Sequence, residues 1–204
     1  TQLDYFDWLV EKITSTLGRT AKTVLDIGCN DGSFLNAWGG TGALTYGVDP
    51  AENLYPLSSP NHHVFCGFYT GDEFLGTTFD VITCLNAFAH NTDQLELLGN
   101  MSRRLSDDGL MFCSISQADM ILNGEFDTIY HEHLSFFNIR SMTALCDRAG
   151  LTLVDVLKHP IHGGSYIFVV SKASDKKYVN DKENQSLYEE STYEKYAEKA
   201  YSTA

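Results

Sequence analysis

The densest run of titratable side chains in the chain is Asp127-Thr128-Ile129-Tyr130-His131-Glu132-His133, followed by Leu134-Ser135-Phe136-Phe137. Two histidines, a glutamate and a tyrosine among apolar neighbours suit proton transfer. The same residues also read as a hydrogen-bonded surface loop. A zinc hydrolase would need H-E-x-x-H on a helix, and the second histidine comes two residues too early for that. His-x-His beside carboxylates is a weaker cation pattern, and no metal is expected. A third histidine of interest, His90, closes Asn86-Ala87-Phe88-Ala89-His90, just past an apolar run. Past a buried strand it is a candidate substrate-side or catalytic group, and it reads equally as an ordinary loop residue. His162-Gly163-Gly164-Ser165 offers turn amides that could meet a phosphate or simply close a hairpin.

A separate constellation points to a small polar ligand. An apolar run ends in Asp26-Ile27-Gly28-Cys29-Asn30-Asp31-Gly32, and glycines at 28 and 32 let the backbone turn sharply and come close to a ligand. A dinucleotide fingerprint would need a glycine where Asn30 stands, and a third one beyond it, so NAD fits poorly. Twenty-three positions after Asp26 comes Gly47-Val48-Asp49-Pro50, where a carboxylate can accept both hydroxyls of a ribose. Phe68 or Tyr69 could stack on a base there, although aromatic core packing explains them as well.

These groups must be held by something, and the hydrophobic pattern says what. Leu3, Phe6, Leu9, Val10, Ile13 and Leu17 recur at helical spacing and stop at Gly18. Apolar runs at 23–28, 43–48, 62–66, 79–85 and 109–115 read as strands, with helices through Phe34, Leu35 and Trp38 and over 92–105. Such alternation implies a doubly wound, mostly parallel α/β sheet. After a loop near 117–137, Asn138 caps a helix ending at Gly150, and strands 151–157 and 165–171 are joined so tightly that they must be antiparallel. From residue 174 the composition turns to Lys, Glu, Asn, Ser and Tyr, so residues 1–173 read as one domain and 174–204 as a helical tail or the start of a further domain. In that tail Tyr188, Tyr193, Tyr196, Ala197, Ala200 and Tyr201 could stripe one helix face.

Composition limits the partners. Of the 204 residues 43% are hydrophobic and 20% charged, the balance of a folded, soluble chain. Fourteen Lys and Arg against 27 Asp and Glu give a net charge of −13, which repels nucleic-acid phosphates. No apolar stretch is long enough to span a membrane and the first residues lack a secretory pattern, so a cytoplasmic location is expected. Cys29, Cys66, Cys84, Cys113 and Cys146 are scattered without any CxxC pair and read as reduced core thiols.

The first glycine motif, Asp26-x-Gly28-x-x-x-Gly32, resembles that of S-adenosylmethionine-dependent methyltransferases, in which an antiparallel hairpin closes a parallel sheet. Taken together, VLDIGCNDGSFL, NAFAH, DTIYHEHLSFF and HGGS, in that order, resemble the sugar C-methyltransferases of deoxysugar biosynthesis. The resemblance runs from about residue 20 to 171. It implies S-adenosylmethionine as cofactor, held by Asp26, Gly28, Asn30, Gly32, Asp49, Phe68 and Asn86, and a nucleotide-linked keto-deoxysugar as substrate. It also implies His133 as the base that removes a proton beside the sugar ketone, assisted by Tyr130, Glu132 and His90. Full-length members carry a zinc-binding domain before this region and a second Rossmann-like domain after it, so this chain corresponds to the central domain. O- or N-methylation of a sugar or other small metabolite, or cofactor binding without turnover, are the alternatives.

Overall fold

In the computed structural model, residues 1–116, 119–126, 129, 131–172, 177–178 and 185–203 are described. The chain runs α1 (Gln2–Leu17), β1 (Thr23–Ile27), α2 (Ser33–Asn36), β2 (Leu44–Asp49), α3 (Tyr55–Ser58) and β3 (His63–Cys66). It continues through β4 (Phe79–Leu85), a 3₁₀ turn at Phe88–His90, α4 (Gln94–Arg104), β5 (Leu105–Ser116) and α5 (Asp119–Asn123). There follow α6 (Ile139–Arg148), β6 (Thr152–His159), a 3₁₀ turn at Ile161–Gly163, β7 (Ser165–Ser171), a 3₁₀ turn at Gln185–Tyr188 and α7 (Glu190–Thr203).

The seven strands form one sheet in the order β3-β2-β1-β4-β5-β7-β6. The first five strands pair in parallel, and β7 runs antiparallel between β5 and β6. The mostly parallel sheet with an antiparallel C-terminal hairpin is therefore the one that the pattern predicts. Alternation explains why it is stable. On β1, β4, β5 and β7 the side chains of Leu25, Ile82, Cys113 and Phe168 face one way, into a core shared with Leu98 and Met101 of α4 and Met142 of α6. Their neighbours Val24, Val81, Phe112 and Ile167 face the other way, against Leu9 and Ile13 of α1 and against Phe34 and Trp38. Each of these fully buried side chains contributes about 1.5–3 kcal/mol, and both faces of the central strands are covered by helices.

Polar groups on such strands are tolerated only at the tips, and the two tips of the central pair are used differently. At the amino end Asp80, 9% exposed, accepts from Arg19 Nη2 at 2.8 Å and from the Lys22 amide at 2.6 Å. The carboxyl ends, where the chain turns out of β1, β2 and β4, carry the site described below.

Three details depart from the sequence expectation. β5 begins at Leu105 rather than 109, directly after α4, and a register shift between Phe79 and Val81 absorbs the extra residues. The expected loop near 117–137 contains the short α5, which tertiary bonds hold: Tyr166 Oη donates to Asp119 Oδ1 at 2.9 Å and Lys158 Nζ lies 3.4 Å from Asp119 Oδ2. Five residues are too few to show a helical period. In the tail, Tyr188 falls in a 3₁₀ turn before α7 and Tyr201 is 85% exposed, so the tyrosines do not form one stripe. Instead Tyr196 Oη donates to the Glu125 carbonyl at 2.7 Å and Lys199 Nζ to that of Asn123 at 3.2 Å, which docks α7 on α5. All five cysteines are free thiols, four buried and Cys66 half-buried. Among the described residues no helix is long and apolar enough to cross a membrane.

Asp80→Ala is expected to cost about 1.5–3 kcal/mol in a denaturant unfolding titration, as two charge-assisted bonds are lost. Burial works against ionisation of Asp80, but the Arg19 guanidinium and the Lys22 amide outweigh it and hold the carboxyl below its ordinary range. A depressed carboxyl stabilises the fold above its unfolded pKa and ceases to do so as pH falls through the lower folded one, so the gap between parent and variant should begin to close below about pH 4 and disappear at more acid pH.

Candidate active site

A cleft of about 630 Å³ opens at the carboxyl ends of β1, β2 and β4, within the usual range for a small-molecule site. Asp26, Gly28, Asn30 and Asp31 form its floor, Asp49 one side, Asn86, Ala87 and His90 the other, and α1 and His162 its walls. Sequence spacing thus brings together Asp26, Gly28, Asn30, Asp49, Asn86 and His90. Gly32 stands behind the loop as the cap of α2, where an added Cβ would lie 3.1 Å from His62 and 3.2 Å from Ser58. Phe68 is 79% exposed and does not line the cleft. Its neighbour Tyr69 packs against the main core and donates from Oη to the Asn100 carbonyl at 3.3 Å.

The loop after β1 is wired internally. The Gly28 and Cys29 amides donate to the Val48 carbonyl at 2.8 and 3.2 Å, the Gly32 amide to that of Cys29 at 2.9 Å. Asp49 takes the Asn30 amide on Oδ2 and the Ala51 amide on Oδ1, each at 2.9 Å, which fixes its carboxylate at the tip of β2 with lone pairs to spare. Gly28 has φ +80°, and a Cβ there would sit 2.7 Å from the Cβ of Ala87. Only glycine allows the loops after β1 and β4 to meet so closely.

Backbone strain gathers at the same place. Among the described residues the non-glycine positions with positive φ are Asn30 (52°), Asn86 (56°) and His162 (53°), and all three line the cleft. Such conformations are sparsely populated and collect at ligand sites. Asn86 is tied to β5, its amide donating to the Ser114 carbonyl at 3.2 Å and its Oδ1 accepting from Ser114 Oγ at 3.3 Å.

Asp26 is 2% exposed and accepts from Thr83 Oγ1 at 2.6 Å. Burial pushes its carboxyl up to about 7, Thr83 pulls the other way, and the charge of Asp49 adds to the rise. Among the described residues, the side chains lining the cleft include three aspartates and neither lysine nor arginine. That donor set suits a ligand with positive charge at the aspartate end of the cleft.

The histidines of the sequence motifs meet beside the cleft. The ring centroids of His90 and His133 are 5.0 Å apart at 83°, and Phe136 lies edge-on to His133 at 5.9 Å. Two bonds pin the loop that carries His133 to the 3₁₀ turn after β4 and the helix beyond it: the Leu134 amide to the Ala89 carbonyl at 3.0 Å, and Gln94 Nε2 to Ser135 Oγ at 3.0 Å. Burial and the neighbouring His133 ring hold His90 below the ordinary imidazole value, against Glu132, so His90 is neutral at pH 7. Glu132 is exposed, 3.9 Å from His131 Nε2. Tyr130, Asp127 and Thr128 lie outside the described residues. Sequence reasoning did not place His162 or Tyr5 in this cleft, yet both line it. The Gly-Gly turn was the available signal for His162, whereas Tyr5 is masked by the apolar period of α1.

The family model for "Methyltransferase domain" matches residues 4–156. The chain belongs to the methyltransferase domain family. It is 32% identical over 192 residues to C-methyltransferase NovU of Streptomyces niveus, covering 90% of this chain and 45% of that protein. The Ubiquinone biosynthesis O-methyltransferase of Glaesserella parasuis is 31% identical over 111 residues, 48% of this chain and 47% of that one. The chain thus spans less than half the length of these two relatives. Two solved structures share the fold. The plantazolicin methyltransferase BpumL with S-adenosylhomocysteine has TM-score 0.65 and 14% identity, covering 83% of this chain and 84% of that one. The magnesium protoporphyrin IX methyltransferase ChlM of Synechocystis, also with S-adenosylhomocysteine, has TM-score 0.66 and 15% identity over 84% of each. This methyltransferase domain is of the S-adenosylmethionine-dependent type, with the seven-stranded Rossmann-like sheet of class I. The acid-lined cleft fits that cofactor, whose amino-acid end carries an ammonium and a sulfonium.

Asp26 also makes a pH-dependent prediction. A carboxyl whose pKa is raised by folding costs stability as pH climbs from the unfolded value through the folded one. Asp26→Asn should therefore gain on the parent by a few kcal/mol between about pH 4 and pH 8 in thermal unfolding without ligand. A gap that stays constant over that range would show that Asp26 does not titrate there.

Proposed function

We propose that this domain transfers a methyl group to carbon in a nucleotide-linked keto-deoxysugar, by way of an enolate. The observation that carries the proposal is the His90–His133 pair, held perpendicular beside the acid-lined cleft. The 32% identity to a C-methyltransferase over 90% of the chain supports the choice of carbon. The bound cofactor supplies an electrophilic methyl on a sulfonium. Everything else falls to the side chains.

Asp49 would hold the ribose hydroxyls, since its oxygens are already aligned by the Asn30 and Ala51 amides. Asp26 would face the ammonium, with Asn30, Asn86 and the Gly28 turn shaping the space between. His133 would take the proton beside the ketone, a step that makes the carbon nucleophilic and puts charge on the ketone oxygen. Because His90 is kept neutral next to it, no second positive charge opposes the imidazolium that forms. Glu132, with Tyr130, would steady that cation. The runner-up is O-methylation, favoured by the likeness to a ubiquinone O-methyltransferase. It needs the same base acting on a hydroxyl.

Two experiments test this reading. In calorimetric titration, Asp49→Ala should weaken S-adenosylhomocysteine by at least tenfold, from loss of charge-assisted bonds to ribose. An unchanged affinity would remove Asp49 from the cofactor site. In deuterated buffer, a keto-sugar nucleotide with S-adenosylhomocysteine present should take deuterium into the carbon beside its ketone, and His133→Asn should slow this by roughly 10²–10⁴-fold. Exchange that persists in the variant would move the base elsewhere, with His90 next. Turnover without any exchange in the parent would favour methylation at oxygen.

A further inference from the structure

Tyr5 stands apart among the residues of the cleft. It sits on α1 beside Phe6, Leu9 and Ile13, is 3% exposed, and by sequence is a core aromatic. Its ring is fixed by Trp8, stacked at 6.0 Å, and by His159, tilted at 4.7 Å. Yet the phenolic oxygen is buried without a hydrogen-bond partner, and the residue lines the cleft together with Asp26 and Asn86. The Ser114 hydroxyl is close enough to act on the phenol, but its own hydrogen goes to Asn86 Oδ1 at 3.3 Å, and no contact with hydrogen-bond geometry joins it to Tyr5 Oη. An unpaired buried hydroxyl is costly and rare in a folded protein. At a ligand site it marks the place of a group that the ligand brings.

What that group is follows from what the cleft lacks. An amino-acid ligand has a carboxylate as well as an ammonium. Among the described residues the lining offers no lysine or arginine. Nor can the glycine loop serve as an anion cradle, because its amides are already committed. Those of Gly28 and Cys29 go to Val48, that of Gly32 to Cys29, that of Asn30 to Asp49, and those of Asp31 and Ser33 to the side chains of Asn30 and Asp31. A carboxylate here needs a neutral side-chain donor in a water-poor position. We propose that the Tyr5 hydroxyl donates a hydrogen bond to the carboxylate of the cofactor's amino-acid end. This rests on the placement of the cofactor between Asp26 and Asp49 given above. Burial keeps the phenol protonated far above neutral pH, pushing it up to about 12 with Ser114 opposing, so it remains a donor throughout the working range.

The test compares two ligands that differ only in this group. S-adenosylhomocysteine and its decarboxylated analogue, which keeps amine, thioether and nucleoside, are titrated calorimetrically into the parent, Tyr5→Phe and Asp49→Ala. Tyr5→Phe should bind S-adenosylhomocysteine about tenfold or more weakly while binding the analogue as the parent does. Equal weakening of both ligands, or no weakening of either, overturns the proposal. The ligand-free variant should melt no lower than the parent, since it sheds an unpaired hydroxyl. A lower midpoint would mean that the hydroxyl is already satisfied inside the protein, and would also overturn it. Asp49→Ala separates the two layers: if it leaves both affinities intact the cofactor placement fails, whatever the carboxylate selectivity at Tyr5 turns out to be.

Discussion

A carboxyl group stripped of water at the tip of the central strand shapes much of what surrounds it. Asp26 has 2% exposure and takes a bond from Thr83 on the next strand, in a parallel register that sets Asp26 opposite Thr83 on one side and Gly47 on the other. An isolated ion in such a place is costly, and the protein meets the cost by letting the carboxyl stay partly protonated. A cationic ligand relieves the same penalty by another route. The fold thus prepares a site that is least comfortable when empty, and the left-handed Asn30, Asn86 and His162 around it fit that pattern of strain held where a ligand belongs.

The opposite tip of the sheet is arranged the other way round. There Asp80 is fully matched by Arg19 and the Lys22 amide, so the amino ends of β1 and β4 form a rigid anchor. Stability is concentrated at one edge and unrelieved electrostatics at the other. This division is typical of open α/β sheets, whose ligands sit outside the carboxyl ends of the strands.

Much of this was legible in the sequence because long-range order in the sheet follows from local signals. Strands buried on both faces read as unbroken apolar runs, and Gly18, Asn138 and the Gly-Gly turn mark where elements stop or start. The glycine loop and Asp49 were legible for a related reason, since their spacing is set by one strand-helix-strand unit. What escaped were features that depend on contacts far apart in sequence. α5 exists because Tyr166 and Lys158 reach it, and β5 starts early because α4 leads straight into it. Tyr5 obeys the helical period of α1 so well that nothing local distinguishes its hydroxyl from a core ring. Phe68, an aromatic in a promising position, faces outward instead, because Tyr69 takes the inward place.

The contact between Gly28 and Ala87 has an evolutionary consequence. A Cβ added at position 28 would lie 2.7 Å from that of Ala87, so the two positions share a single parcel of volume, and the second loop leads within three residues to His90. Any enlargement at either position must be answered at the other, or the histidine side of the cleft is displaced relative to the aspartate side. Among homologues positions 28 and 87 should accordingly drift as a pair, with small residues retained at both even where the substrate has changed.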